Sequence, residues 1–473
     1  LPKKDILQEM ESLQQRDVNW QDGKVFSLVY QAGEEAYDLI KEAYSMFFSE
    51  NGLNPTAFPS LRKFETEVVR MALSLLNGDG ETVGNMTSGG TESILMAVKT
   101  ARDWARGKYP EIIFPEMVLP ASAHPAFDKA GAYFDVQVMR VPVNELYIPE
   151  IETIEKAINK NTILLVGSAP SYPHGMMDPI REIAKLALKN GILCHVDSCV
   201  GGFMLPFVRE LGYEVPHFDF TVPGVTSISA DLHKYGYAAK PASLILYRNK
   251  DIRRFQMHAT TDWSGGIYAS PTMTGSRPGG AIAAAWSVIN FLGKEGYVDI
   301  ADKVMKATKR LMVGVKSIEG LEIIGNPVMS IFAITSQELD IFEIGDEMSE
   351  RGWHLDRQQY PNSLHISVNF AHTEIVDNFL KDLSLSVGRV KTPNLRTVMN
   401  RVLINFIGFI TRLLPKKWIS KIISLISPLI TSNSPSPSSR SAAMYGMMGS
   451  LPNEGDLKEI VLDLIESFTE IQE

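Results

Sequence analysis

Four short stretches of this chain carry side chains that can do chemistry. The first is Thr87-Ser-Gly-Gly-Thr-Glu-Ser93, lying between a candidate strand and a helix. Glycines let a backbone approach a ligand closely, and the first N–H groups of a helix point outward at its positive dipole end, so a phosphate fits there around Gly90, with Thr91 adding a hydroxyl. The second is His195-Val-Asp197, which closes an apolar run ahead of Gly201-Gly202. A carboxylate at the C-terminal end of a parallel strand faces the ligand crevice. The third is Ser229-Ala-Asp-Leu-His233-Lys234-Tyr-Gly236. A lysine placed just past a strand can be desolvated, which lowers its pKa and frees its amine for a Schiff base. The fourth is Ser122-Ala-His124, whose imidazole can stack on a flat ring.

Singly, these are also what a capped helix start, a loop aspartate, a solvated lysine and a polar loop histidine look like. Their joint order changes the reading, because each follows a candidate strand. A phosphate cradle, a stacking group, a carboxylate for a pyridinium nitrogen and a lysine for an aldehyde are the parts of a pyridoxal phosphate site.

The elements that must hold these residues alternate. Residues 89–106 read as a helix after a glycine turn, 116–120 and 136–141 as short strands, and 151–158 as a helix. Residues 162–167 (TILLVG) form a buried-strand run, and 179–190 a helix with proline at its start and Gly191 past its end. Strands follow at 192–196, 225–229 and 243–247. Continuous apolar strands alternating with helices predict an α/β fold with a mostly parallel sheet covered on both faces. A long helix is expected to start at 281–291, and 300–390, with an alternating segment at 364–370, to form a smaller α+β unit.

Composition narrows the class. The chain has 473 residues, 45% hydrophobic and 21% charged, enough apolar material for a large core and a second smaller one. A net charge of -9 argues against nucleic acid as the main partner. Cys194 and Cys199 build no disulfide framework and read as inert core thiols in a reducing compartment. No apolar run approaches the roughly 18–20 residues of a membrane span, and no signal peptide is visible.

The stretches FPSLRKFETEVV, TSGGTESILMAVK, AHPAFDKA, PHGMMDPI, HVDSCVGGF, SISADLHKYGYAAKP, TDWSGGIYASPTMTGSRPGG and MYGM resemble the sphingosine-1-phosphate lyases. Other pyridoxal decarboxylases share the SGGTES, HVD and HK elements but not KYGYAAKP or IYASPTMTGSRPG. The resemblance implies a fold-type I pyridoxal 5'-phosphate enzyme with a large cofactor domain at 61–290 and a small C-terminal domain at 291–473. It implies an N-terminal segment, 1–60, that contributes to a homodimer and its shared active sites. Lys234 would be the catalytic Schiff-base lysine, Asp197 the partner of the pyridine nitrogen, and His124 the stacking group. Gly90, Thr91 and His233 would hold the cofactor phosphate. Tyr30, Asn54, Lys240 and Ser276 would meet the substrate phosphate, with 265–276 of one subunit near the other's cofactor. Asn54 stands where the family carries histidine, so it can donate a hydrogen bond but carries no charge. The implied reaction is retro-aldol cleavage of the C2–C3 bond of a phosphorylated sphingoid base, giving a long-chain aldehyde and phosphoethanolamine. Lys234, the cofactor phosphate and a tyrosine all remain candidates for the base. A group II amino-acid decarboxylase is the alternative enzyme, and a non-catalytic membrane-binding relic the alternative outside enzymology.

Residues 392–440 look like an insertion. They hold no acidic residue and end in SNSPSPSSRS, a composition expected to be disordered. Within it, 395–414 places apolar residues on one helical face, and 416–426 adds Lys416, Lys417 and Trp418. A peripheral membrane contact through 395–431 and a helical hairpin packed on the dimer both fit that pattern. A location on the cytoplasmic side of a membrane is expected in either case.

Overall fold

The computed structural model describes residues 1–392 together with Lys458, Leu462, Ile465 and Glu466. The proposed membrane segment 395–431 and the MYGM stretch lie outside the described residues.

Seven strands form the main sheet: β1 (Val83–Thr87), β2 (Glu116–Pro120), β3 (Gln137–Val141), β4 (Thr162–Ser168), β5 (Leu193–Asp197), β6 (Ser227–Ala230) and β7 (Ser243–Tyr247). Their order is β1-β7-β6-β5-β4-β2-β3. The pairs from β3 through β6 are parallel, whereas β7 runs against both β6 and β1. The mostly parallel expectation therefore holds, with one reversed strand. The reason is local. Parallel neighbours need a crossover, usually a helix, and the short connection at 231–242 returns the chain directly beside the strand it left.

Burial explains the strand sequences. In β4, Ile163, Leu164, Leu165 and Val166 are at most 1% exposed, because helices cover both faces. Burying each such side chain is worth about 1.5–3 kcal/mol, so alternation with polar residues would be costly here. At the far edge, β3 has one open face and its burial alternates. The strand expected at 225–229 is shifted and starts at Ser227. The helix expected from 281 is longer, Gly279–Ser317, and is broken at Gly293, whose φ of 55° takes it out of helical geometry.

A hairpin, β8 (His258–Thr260) and β9 (Tyr268–Ser270), follows the main sheet. The second sheet is antiparallel, with β10 (Glu322–Ile323), β11 (Ile331–Thr335), β12 (Asp356–Gln358) and β13 (Ser363–Ser367) in the order β10-β11-β13-β12. The N-terminal segment joins this second sheet. Phe26 donates its N–H to His354 O and accepts from Ser367 N, and its fully buried ring stacks on His372 at 4.2 Å. That docking brings Tyr30 toward the main sheet.

Candidate active site

Registers align the strand ends. Thr87 pairs with Ser243, Ala230 with Leu244, Ser229 with Asp197, and Asp197 with Ser168. The C-terminal ends of β1, β4, β5 and β6 therefore share one edge with the start of β7. Lys234 sits in the connection at that edge. Its Nζ lies 2.9 Å from Asp231 Oδ2, and His233 Nε2 lies 3.6 Å from the same oxygen. Lys234 is 23% exposed and Asp231 only 1%. Burial opposes the Lys234 charge, but the Asp231 carboxylate outweighs it and raises the pKa. This corrects the expectation of a lysine whose pKa is lowered by desolvation. Burial likewise opposes ionisation of Asp231, yet the Lys234 ammonium holds its carboxyl below the usual range.

The two neighbouring histidines have their tautomers set by backbone donors. Ala126 N–H donates to His124 Nδ1 at 3.1 Å, and Ala242 N–H donates to His233 Nδ1 at 3.2 Å. Each ring therefore offers Nε2 outward, as a donor when neutral. Burial lowers both pKa values, against the pull of Asp197 on His124 and of Asp231 on His233.

Asp197 is anchored through one oxygen. Oδ1 accepts from Cys199 N at 3.1 Å and from Ser229 Oγ at 3.2 Å. Ser229 has one proton, so toward His195 Nε2, 3.3 Å away, it acts as acceptor. His195 Nδ1 then accepts from Ser227 Oγ at 2.9 Å. Burial pushes His195 down to about 4, which keeps this relay neutral. Among the described residues, Asp197 Oδ2 makes no hydrogen bond within the chain and is left for a ligand.

The glycine turn opens the 19-residue helix Gly90–Lys108. Glu92 braces it: its two oxygens accept from Ser88 N at 2.6 Å and from Met273 N at 2.8 Å. This ties the turn to the loop that carries Ser276.

The four residues expected at the substrate phosphate divide into two groups. Tyr30 lies within electrostatic reach of Lys234 and Asp231, with its ring 5.1 Å from that of Tyr235. Lys240 is exposed and its charge reaches His233. Asn54 and Ser276, both exposed, belong to a different pair of loops. Asn54 Oδ1 accepts from Thr56 N, Thr56 Oγ1 and Ala57 N, and Ser276 Oγ meets Asn51 Nδ2 at 3.0 Å. Among the described residues, no hydrogen bond or ion pair links Asn54 or Ser276 to the Lys234 cluster.

Residues 2–334 match the family described as the pyridoxal-dependent decarboxylase conserved domain. The sphingosine-1-phosphate lyase of Oryza sativa subsp. japonica is 50% identical, over 82% of this chain and 73% of its own. The chain belongs to the sphingosine-1-phosphate lyase family. Sphingosine-1-phosphate lyase 1 of Rattus norvegicus is 44% identical, over 83% of this chain and 70% of its own. The solved structure of a Burkholderia pseudomallei sphingosine-1-phosphate lyase superposes with a TM-score of 0.80 at 38% identity, covering 86% of this chain and 95% of that one.

Membership of the lyase family brings pyridoxal 5'-phosphate as cofactor, and the residues present fit it. A Cβ at position 90 would lie 2.8 Å from Cys199 Sγ and 2.9 and 3.0 Å from the Asp231 oxygens, so only glycine keeps that turn open. Asp197 holds an oxygen in reserve, and His124 is a flat, neutral ring beside it. Sequence reasoning missed the supports. Asp231 lies inside the SISADLHKYGYAAKP stretch, three residues before Lys234, and that spacing was its only signal. Ser227, Ser229 and His195 alternate along two adjacent strands and meet only through strand register. Missed too was a polar cluster on the second sheet. There Tyr172 Oη donates to Asp356 Oδ2 at 3.1 Å, and its ring stacks on His365 at 4.1 Å.

Proposed function

We propose that this chain cleaves the C2–C3 bond of phosphorylated sphingoid bases, releasing a long-chain aldehyde and phosphoethanolamine. The observation that carries the reading is Lys234 at the common strand edge, flanked by Asp197, His124 and the Gly90 turn, in a chain of the lyase family. Bound pyridoxal phosphate supplies an electron sink for the pair released when a bond beside the amine-bearing carbon breaks. Gly90, Thr91 and His233 would hold its phosphate, His124 would lie on its ring, and Lys234 would bear its aldehyde carbon. Asp197 Oδ2 would keep the ring nitrogen protonated, with Oδ1 fixed by Ser229 and Cys199 N.

The tyrosines suit proton donation. Burial raises the Tyr30 pKa, and burial together with the Asp356 charge raises that of Tyr172. Both phenols keep their protons at neutral pH and would donate to substrate oxygens rather than take a proton from the 3-hydroxyl. Lys240 supplies a cation at the cofactor end of the site. Asn54 and Ser276, apart from that cluster within one chain, suit a homodimer in which a second copy completes each substrate site. The exposed hairpin that precedes Ser276, with Trp263 58% and Ile267 78% exposed, fits the same arrangement. Among the described residues, no helix is long and apolar enough to cross a membrane. Peripheral contact through 395–431, on the cytoplasmic side, is the form of membrane association we propose.

Mass spectrometry of products from a phosphorylated sphingoid base, with and without added cofactor, tests the reading. Aldehyde and phosphoethanolamine are expected. Carbon dioxide from an amino acid, with no aldehyde, would overturn it in favour of the decarboxylase. Borohydride reduction and peptide mapping should find the cofactor on Lys234 and on no other lysine.

A further inference from the structure

Asp231 differs from the other buried carboxylates at this edge. Asp197 and Asp178 each accept a backbone N–H, from Cys199 and Ser168 respectively, and so support the fold. Among the described residues, the Asp231 carboxylate accepts no backbone N–H. Oδ2 faces Lys234 Nζ at 2.9 Å, and the Ser243 hydroxyl is a further side-chain donor toward the carboxylate. With no backbone donor on it, this carboxylate is held by side chains, the Lys234 cation foremost, rather than by the backbone.

The other groups facing Lys234 carry no compensating charge. Cys199 comes from the turn after β5, Tyr30 from the N-terminal segment, His124 from the loop after β2, and His365 from β13. Burial raises the Cys199 thiol and the Tyr30 phenol and lowers His124, His233 and His365, which leaves all five neutral near pH 7. Lys240, near His233, is itself a cation.

We propose that Asp231 is a positioning residue that docks the Lys234 ammonium whenever that nitrogen is not bonded to the cofactor. The proposal rests on the reading that Lys234 carries the cofactor. A lysine that gives way to a substrate amine and later returns needs a fixed place for its nitrogen in between. Asp231, three residues earlier on the same connection, provides that place, and it determines how tightly the lysine holds its proton. The missing Cβ at Gly90 is what gives both carboxylate oxygens room.

The test uses the cofactor-free full chain. Trace acetylation with acetic anhydride, followed by peptide mass spectrometry, gives the pH midpoint of the Lys234 amine against exposed Lys3. In Asp231→Asn that midpoint should fall by about one unit or more, so labelling below both midpoints rises about tenfold. Asp231→Glu should restore it toward the parent value. A midpoint unchanged in Asp231→Asn overturns the proposal; loss of stability alone would not move it. Should Asp231→Asn fail to fold, Lys234→Met serves. With its cation removed, burial would raise the Asp231 pKa above its unfolded value. That contribution to stability is present at low pH and is lost as pH rises through the folded pKa, the reverse of the parent protein, where it is lost as pH falls. Stability of Lys234→Met that follows pH as the parent's does would equally overturn the proposal. Cofactor mapped to another lysine would sink the functional reading, while the midpoint shift would still decide Asp231.

Discussion

The connection between β6 and β7 and the loop pair that carries Asn54 and Ser276 both hold residues proposed for the site, yet they are built differently. The first is enclosed: Asp231 is 1% exposed on its side chain, and Lys234, His233 and Asp231 interact over 2.9 to 3.6 Å. The second is open, its hydrogen bonds stay within the loop pair, and Ser276 faces solvent. One chain thus encloses the Lys234 cluster by itself, while Asn54 and Ser276, which we propose for the substrate phosphate, stay open to solvent. Chemistry that depends on desolvated charges has to be preorganised within the fold, whereas a polar grip can be contributed across an interface.

The largest expected effect breaks the enclosed region. Lys234→Ala should abolish turnover and covalent cofactor attachment while the circular dichroism spectrum stays that of the parent; measurable turnover would remove Lys234 from its role. Next comes a mixing experiment that addresses the open region. Tyr30 lies beside Lys234 of its own chain, so a Tyr30→Phe chain should not rescue a Lys234→Ala chain. A Ser276→Asp chain, impaired by charge repulsion at the phosphate, should rescue it, because one of the two sites in a heterodimer keeps both native residues. Heterodimers shown to form but inactive would place Ser276 outside the partner's site. Smaller is Lys240→Ala. A charge-assisted phosphate contact is worth roughly 1.5–3 kcal/mol, so kcat/KM should fall about tenfold or more with cofactor binding retained. Parent-like kcat/KM would remove the contact. The smallest concerns Asn54, whose Oδ1 is already committed to Thr56 and Ala57. Asn54→His should lower KM as pH drops through about 6.5, where an ordinary imidazole gains charge, and by less than about tenfold. A KM profile parallel to the parent's would place residue 54 away from the phosphate.

The chain's own pattern was enough to place most of the elements. Strands 116–120 and 243–247 begin and end where their apolar runs do, and Gly191, with φ of 66°, ends its helix as a C-terminal glycine should. Lys234, Asp197, His124 and the Gly90 turn were visible because each is a local motif beside a strand end. The direction of β7 was not legible, since a run such as SLILY reads the same in either orientation. The Lys234 pKa was misread because its sign depends on Asp231, a partner whose effect arises from 2.9 Å geometry in a buried site.

Local periodicity and turn chemistry, properties of neighbours along the chain, determined the α/β class and the approximate strand positions, and made Lys234 a candidate. Tertiary structure alone decided the rest. It placed Tyr30 beside Lys234 by docking Phe26 into the second sheet, and joined Ser227, His195, Ser229 and Asp197 into one relay across β5 and β6. It also left Asn54 and Ser276 on open loops. These outcomes depend on which distant segments pack together and on how much water they exclude. Strand register and burial set both, and neither is a property of any short stretch of residues.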